Sequence, residues 1–253
     1  MSKKNRYFIQ LSYNGTEYHG WQIQNNAKSV QQVLNEKLSI ILQEEINVVG
    51  AGRTDTGVHA EFYMAHFEVI KRIEDFDLFL DKINKILQKD IAVQKIYNVD
   101  INANSRFDAV SRTYEYRITK VKNPFLINFA WYNRTNFDID LMNKAAKILF
   151  DYTDFTSFSK TGTQVKTNNC KIYFAEWNKI GNMLIFKIKA DRFLRNMVRA
   201  IVGTLIEVGL GKIKLEDFRK IIESKNRSNA GLSVPAHGLF LTEIEYPKNI
   251  LTY

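Results

Sequence analysis

Apolar and polar positions alternate from Tyr7 to Tyr13, which predicts a strand. Ser29 opens a capping box with Gln32. Behind it Val30, Val33, Leu34, Leu38, Ile41 and Leu42 form the apolar stripe of a helix. Ile46 to Val49 reads as a short strand. Glu61 to Val69 reads as another, with Tyr63, Ala65, Phe67 and Val69 on one face. Phe76, Phe79, Leu80, Ile83, Ile86 and Leu87 predict a second helix, and Ile91 to Val99 a fourth strand. The order is βαββαβ, the split-βαβ unit of ferredoxin-like folds. The second half reads similarly. Arg112 to Thr119 alternates, and Leu141, Ala145, Ile148 and Leu149 share a helix face. Cys170 to Lys179 and Met183 to Ala190 form a hairpin across Gly181-Asn182. A long helix from Phe193 to Val208, a shorter one from Leu215 to Ile222 and a strand from Leu239 to Tyr246 complete the pattern. The reading is an α+β fold in two halves of one architecture, dividing near residues 102–110.

Composition narrows the classes. The chain has 253 residues, 45% of them apolar and 13% aromatic, enough for a substantial core and too apolar for a disordered tail. No run approaches the roughly 18 apolar residues of a membrane span. The basic start, Met1-Ser-Lys-Lys-Asn-Arg6, lacks the apolar stretch of a secretory signal, because Gln10 and Ser12 interrupt the apolar residues between Tyr7 and Tyr13. One cysteine, Cys170, excludes an internal disulfide framework. Four dispersed histidines make a Cys/His zinc site a poor expectation. These features predict a soluble cytoplasmic protein. The formal net charge of +9 favours a polyanionic partner.

Three segments carry candidate chemistry. The first is Gly50-Ala-Gly-Arg-Thr-Asp-Thr-Gly-Val-His-Ala60, between two strands, where Arg53, Thr54, Asp55 and Thr56 sit among glycines. A plain hairpin loop is the competing explanation, since Gly, Asp and Thr are ordinary turn residues. The loop lacks the Gly-Lys-Ser/Thr ending of a Walker phosphate loop. The second is Arg192, Arg195 and Arg199, which at i, i+3 and i+7 share one face of the expected helix. A solvated basic face would explain that stripe, but no acidic partner appears before Glu207. Gly203, one turn beyond Arg199, allows close approach of a neighbouring loop. The third is Arg112-Thr-Tyr-Glu-Tyr-Arg117, whose alternation sets Arg112, Tyr114 and Tyr116 on one face. Aromatics beside arginines suit base stacking and phosphate contact, and tyrosines half-buried in a sheet fit equally well. Trp21 reads as a core or loop anchor and His59 as a structural hydrogen-bonder.

These segments together resemble the tRNA pseudouridine synthase A family. Arg53-Thr-Asp-Thr-Gly-Val-His-Ala60 is similar to its catalytic loop, with Thr56 where many members carry Ala. Tyr18-His-Gly-Trp-Gln22, Arg112-Thr-Tyr-Glu-Tyr116, Asp154-Phe-Thr-Ser-Phe158, Asn196-Met-Val-Arg-Ala-Ile-Val-Gly203 and Gly238-Leu-Phe-Leu241 resemble its other motifs, in family order from about Tyr7 to Pro247. The resemblance implies Asp55 as the catalytic aspartate, Tyr114 against the target base, and Arg199 on a helix packed beside the Asp55 loop. It implies isomerisation of uridines 38, 39 and 40 in the tRNA anticodon stem-loop, without metal or organic cofactor, by a cytoplasmic homodimer. The implied fold is two ferredoxin-like (RRM-like) halves forming one extended antiparallel sheet flanked by helices, with the active cleft between them. Residues 1–105 would carry the aspartate loop and residues 106–253 the second half.

The residues suit that reaction. Breaking one glycosidic bond and forming a C–C bond needs no redox partner or energy carrier. A carboxylate can attack the sugar carbon or remove a sugar proton, and both roles need its ionised form. A guanidinium nearby favours that form, and Arg199 is the candidate. The detached base must stay dry, so Leu239 is expected in the pocket wall. The target nucleotide must leave its stack, and Arg53 is expected to fill the vacated space or hold a phosphate. A non-catalytic RNA-binding protein with two RRM-like units would also explain the charge and aromatics. It leaves the Arg-Thr-Asp loop unexplained, and the RNP signature is missing. A metal-dependent nuclease would need a cluster of acidic ligands that the sequence does not offer.

Overall fold

The computed structural model describes residues 4–162 and 166–251, so Met1–Lys3 of the basic start lie outside the described residues. Among the described residues are nine strands and five α-helices in a mixed α+β arrangement. The chain divides into two compact units, residues 1–110 with 241–253, and residues 111–240.

In the first unit β1 (Asn5–Tyr13) lies between β3 (His59–Val69) and β4 (Ile91–Val99), antiparallel to both. The register sets Tyr7 opposite Phe67 and Ile9 opposite Ala65. Tyr63, Ala65, Phe67 and Val69 are buried as their alternation demands, and Met64 and His66 on the opposite face are buried too. Helix α1 (Val30–Leu42) starts where Ser29 accepts from the Gln32 N–H at 3.3 Å. The reciprocal leg of the capping box is replaced, because the Gln32 amide donates to Glu36 instead, at 3.0 Å. The expected strand at 46–49 shrinks to β2 (Val49–Gly50). Side chains of α1 take the backbone donors that would have paired: Ile46 N–H goes to Ser39 Oγ and Val48 N–H to Asn35 Oδ1, each at 2.9 Å. In α2 (Phe76–Ile86), capped by Asp75, only Phe79 and Ile83 of the expected stripe are buried, with Leu87 just beyond.

In the second unit β8 (Met183–Ala190) lies between β5 (Ser111–Thr119) and β7 (Ile172–Ile180), antiparallel to both. The two-residue β6 (Trp131–Tyr132) runs parallel to β5. Helix α3 (Ile139–Ile148) is tied to β7 by Asn143, whose amide donates to the Trp177 carbonyl at 3.0 Å and accepts its N–H at 2.7 Å. Helix α4 (Met197–Gly209) is buried around most of its circumference, and α5 (Leu215–Glu223) buries only Phe218 and Ile222. Strand β9 (Leu239–Glu245) begins in this unit's segment and ends in the first unit's.

A further expectation fails here. The helix does not start at Phe193. Asn196 adopts a left-handed backbone, φ +67°, which no α-helix can continue, so α4 begins at Met197. Upstream, the Asp191 carboxylate accepts from the N–H groups of Lys171 and Arg192, both at 2.7 Å, and holds that stretch as a loop. Arg192 and Arg195 therefore do not share a helix face with Arg199.

Candidate active site

The Asp55 loop is built by the segment Gly15–Trp21, which closes over it with main-chain bonds. Trp21 N–H donates to the Thr54 carbonyl at 3.3 Å, and Gly57 N–H to the Tyr18 carbonyl at 3.2 Å. Val58 N–H donates to the Asp55 carbonyl at 3.1 Å and closes the turn on which the half-buried Asp55 sits. Gly20 has φ +85°, and a Cβ there would lie 2.3 Å from the Thr54 oxygen, so only glycine permits this approach. Side chains add two fasteners. The hydroxyls of Tyr13 and Thr54 bond at 2.9 Å, and Gly15 N–H donates to His59 Nδ1 at 3.0 Å. His59 is buried and structural, as expected, and that bond places the neutral ring's proton on Nε2. Trp21, also buried, stacks on Tyr63 with ring centres 4.1 Å apart, and the Tyr63 hydroxyl donates to the Gly52 carbonyl. The early Tyr-His-Gly-Trp segment thus serves as the scaffold of the aspartate loop. Tyr13, at the end of β1, and Tyr63, inside β3, have loop-fastening roles that the sequence pattern does not announce. Arg53 and Thr56 are exposed.

Farther out, the Tyr18 hydroxyl donates to Asp90 at 2.7 Å. Burial first, then that bond and the charges of Asp90 and Glu17, hold the phenol well above its ordinary pKa. It stays protonated and anchors the scaffold to the start of β4.

The second unit holds Tyr114, Arg199 and Leu239. Tyr114 is half-buried on β5 with the Phe193 ring edge-on at 5.2 Å. Leu239 is buried where β9 starts. Arg199 lies in the first turn of α4, and its Nε donates to the Val234 carbonyl at 2.7 Å. The Tyr116 hydroxyl donates to the next carbonyl, Pro235, at 2.9 Å. Two adjacent carbonyls are thereby pinned just before the turn Ala236–Gly238 that leads into Leu239. Burial raises the Tyr116 pKa against the opposing charge of Arg199. Burial also lowers that of His237, with Arg199 adding to the effect. Tyr116 is fully buried, unlike its strand neighbour Tyr114, so it is a structural hydrogen-bonder. Gly203 does make a close approach, but to the segment ahead of Val234: a Cβ there would lie 1.8 Å from the Leu232 oxygen.

The Asp154-Phe-Thr-Ser-Phe158 motif is a structural corner. Asp154 accepts from the Thr156 N–H at 3.0 Å and its hydroxyl at 2.6 Å, and pairs with Lys225 at 3.0 Å. Ser157 donates to the Ile221 carbonyl at 2.6 Å, while Phe155 and Phe158 are fully buried.

The chain matches the family described as tRNA pseudouridine synthase over residues 10–108 and 145–247, a span that includes the Asp55 loop and α4. The chain belongs to that family. It is 52% identical over 245 residues to the tRNA pseudouridine synthase A of Parabacteroides distasonis, covering 97% of each chain. Against the protein of that name from Bacteroides fragilis it is 52% identical over 246 residues, covering 97% of this chain and 98% of that one. The like-named protein of Thermoanaerobacter pseudethanolicus is 38% identical over 240 residues, covering 94% and 98%. With each of these three relatives, the likeness to the tRNA pseudouridine synthase family runs through nearly the whole chain. Among the described residues, no helix is long and apolar enough to cross a membrane.

Proposed function

We propose that this protein isomerises uridine to pseudouridine in the anticodon stem-loop of tRNA, at positions 38, 39 and 40, with Asp55 as the catalytic carboxylate. The observation that carries the reading is the Asp55 loop itself, a carboxylate on a turn held by five hydrogen bonds, inside a chain of this family. In the reaction the N1–C1′ bond breaks, the uracil turns, and C5 bonds to C1′. The proton lost from C5 is balanced by the one gained at N1, so nothing is oxidised or hydrolysed. Asp55 either adds to the sugar and leaves again or removes and returns a sugar proton. Fastening the loop matters because a displaced carboxylate forfeits the near-attack geometry.

Residues 1–105 supply Asp55 and Arg53, and residues 106–253 supply Tyr114, Arg199 and Leu239. Tyr114 stacks against the target base, and Leu239 gives it a dry wall. Arg199 contributes positive charge toward the RNA substrate. The exposed Arg53 contacts the RNA backbone. The protein acts in the cytoplasm as a homodimer without metal or organic cofactor. Two ferredoxin-like halves underlie it, supported by the βαββαβ order of the first unit. The order β5–α3–β7–β8–α4–β9 of the remainder adds support, with β6 and α5 as additions.

The test is incubation with unmodified tRNA transcript, carbodiimide derivatisation and mass spectrometry of the fragments. Derivatised mass at anticodon-arm uridines is the expected result. A chain that binds tRNA and leaves every uridine unchanged would favour the RNA-binding alternative.

A further inference from the structure

Beside the Asp55 loop the first unit carries a recess of about 200 Å³, bordered by Trp21, Gln22, Gln31, Gly52, Arg53 and Arg106. Among the described residues, two guanidinium groups line it and no carboxylate does. Its walls are fixed. The Gln31 amide accepts from Gln22 at 2.8 Å and from the Ile23 N–H at 3.0 Å, and donates to the Val48 carbonyl at 2.7 Å. Trp21 is held by its stack on Tyr63. Arg106 lies 5.5 Å from the ring of Phe107, which is 77% exposed.

Gly52 supplies the second observation. Its φ lies outside the left-handed region, and a Cβ built on it meets nothing within 4 Å. Neither backbone nor packing calls for glycine here. What a side chain would do is project into open space at a residue that borders the recess.

We infer that this recess is an RNA-backbone subsite: it takes a phosphodiester-linked nucleotide of the tRNA strand next to the one presented to Asp55, with Arg106 and Arg53 on the phosphate and Gly52 leaving room for close approach. Positive charge focused in a concavity recognises a phosphate. The inference rests on the proposed activity, since it needs tRNA as the substrate.

The experiment measures affinity for unmodified tRNA transcript across salt for the full-length wild type, Gly52→Ala, Arg106→Gln and Arg72→Gln, an exposed arginine outside the recess. Gly52→Ala is expected to melt no lower than wild type, because alanine fits the backbone and restricts the unfolded chain. It is nonetheless expected to bind tRNA about five-fold or more weakly. Arg106→Gln is expected to weaken binding similarly and to flatten the log–log salt slope by up to about 0.9. Arg72→Gln is expected to bind as wild type. Wild-type affinity in both Gly52→Ala and Arg106→Gln overturns the inference, as does an equal loss in Arg72→Gln. Pseudouridine formation by the wild type is read in parallel. Its absence defeats the proposed activity and the inference together, whereas modification with unaffected variants defeats the recess alone.

Discussion

Two Thr-Asp corners of this chain, Thr54-Asp55 and Thr153-Asp154, look alike in sequence and are built differently. At Asp154 the carboxylate does the fastening: it takes both donors of Thr156 and pairs with Lys225. Burial opposes its ionisation, but those donors outweigh it and hold Asp154 below the ordinary carboxylate range. At Asp55 the neighbours also fasten the turn. The bonds run through the backbone of Thr54, Asp55, Gly57 and Val58, the Thr54 hydroxyl and the His59 ring. The two turns are thus distinguished by what holds them, not by their local sequence.

The largest expected effects break that symmetry. Asp55→Ala and Asp55→Asn are expected to lose several orders of magnitude in single-turnover pseudouridylation while melting and binding tRNA close to wild type. Asp154→Ala is expected to do the reverse, losing about 1 kcal/mol of stability in denaturant titration, because the half-buried Thr156 donors lose their acceptor, with turnover retained below its melting point. Substantial turnover by Asp55→Ala, or a stability loss like that of Asp154→Ala, would erase the distinction.

Arg199 sharpens the comparison from the second unit. Its Nε bond to Val234 gives it a structural share, so Arg199→Lys and Arg199→Met should both loosen the Val234–Leu239 segment. If its charge also supports the ionised carboxylate, Arg199→Met lowers the single-turnover rate about ten-fold or more. It then also moves the acid limb of the pH–rate profile to higher pH, while Arg199→Lys keeps part of the activity. A loss of affinity alone, with the pH profile unmoved, would make Arg199 a phosphate contact.

A smaller effect concerns the scaffold. Tyr13→Phe removes the bond to Thr54 while leaving the ring packed on Trp21 and Tyr63. It is expected to cost a few-fold in single-turnover rate and about 1 kcal/mol in stability. An unchanged rate would show that the main-chain clamp suffices.

The smallest is a pH effect. Burial, then the charge of Arg6, holds His66 down at about pKa 4 against an ordinary 6.5, and Ser105 N–H donates to its Nδ1 at 3.1 Å. The unfolded chain therefore binds more protons between those values, so stability is full above about pH 6.5 and declines as pH falls towards 4. His237, lowered by burial, acts in the same sense. The denaturation midpoint is expected to fall across that window, and less steeply in His66→Gln. An equal slope in the variant would show that His66 is not the group responsible.

Much of this was legible because periodicity reports burial. The alternation of β1 and β3 and the 3.6-residue stripe of α1 place Tyr7, Phe67, Val33 and Leu38 inside, as found. Periodicity cannot report a single residue's backbone. The apolar spacing of Phe193 and Leu194 continues that of α4, yet Asn196 turns left-handed and dissolves the arginine stripe. Nor can it report side chains that intercept backbone donors, as Ser39 and Asn35 do beside β2. At the candidate site, Asp55 stood out by its company of glycines. The roles of Tyr13, Tyr63 and Tyr116 did not, because a buried tyrosine's hydroxyl partner is fixed only by tertiary structure.

The contrast between the two corners is tested most directly by single-turnover pseudouridine yield from unmodified tRNA, at saturating enzyme, for Asp55→Asn beside Asp154→Asn. The expected result is no detectable pseudouridine from the first and wild-type yield from the second below its melting temperature. Pseudouridine formed by Asp55→Asn at the wild-type rate would contradict the assignment of Asp55 as the catalytic carboxylate.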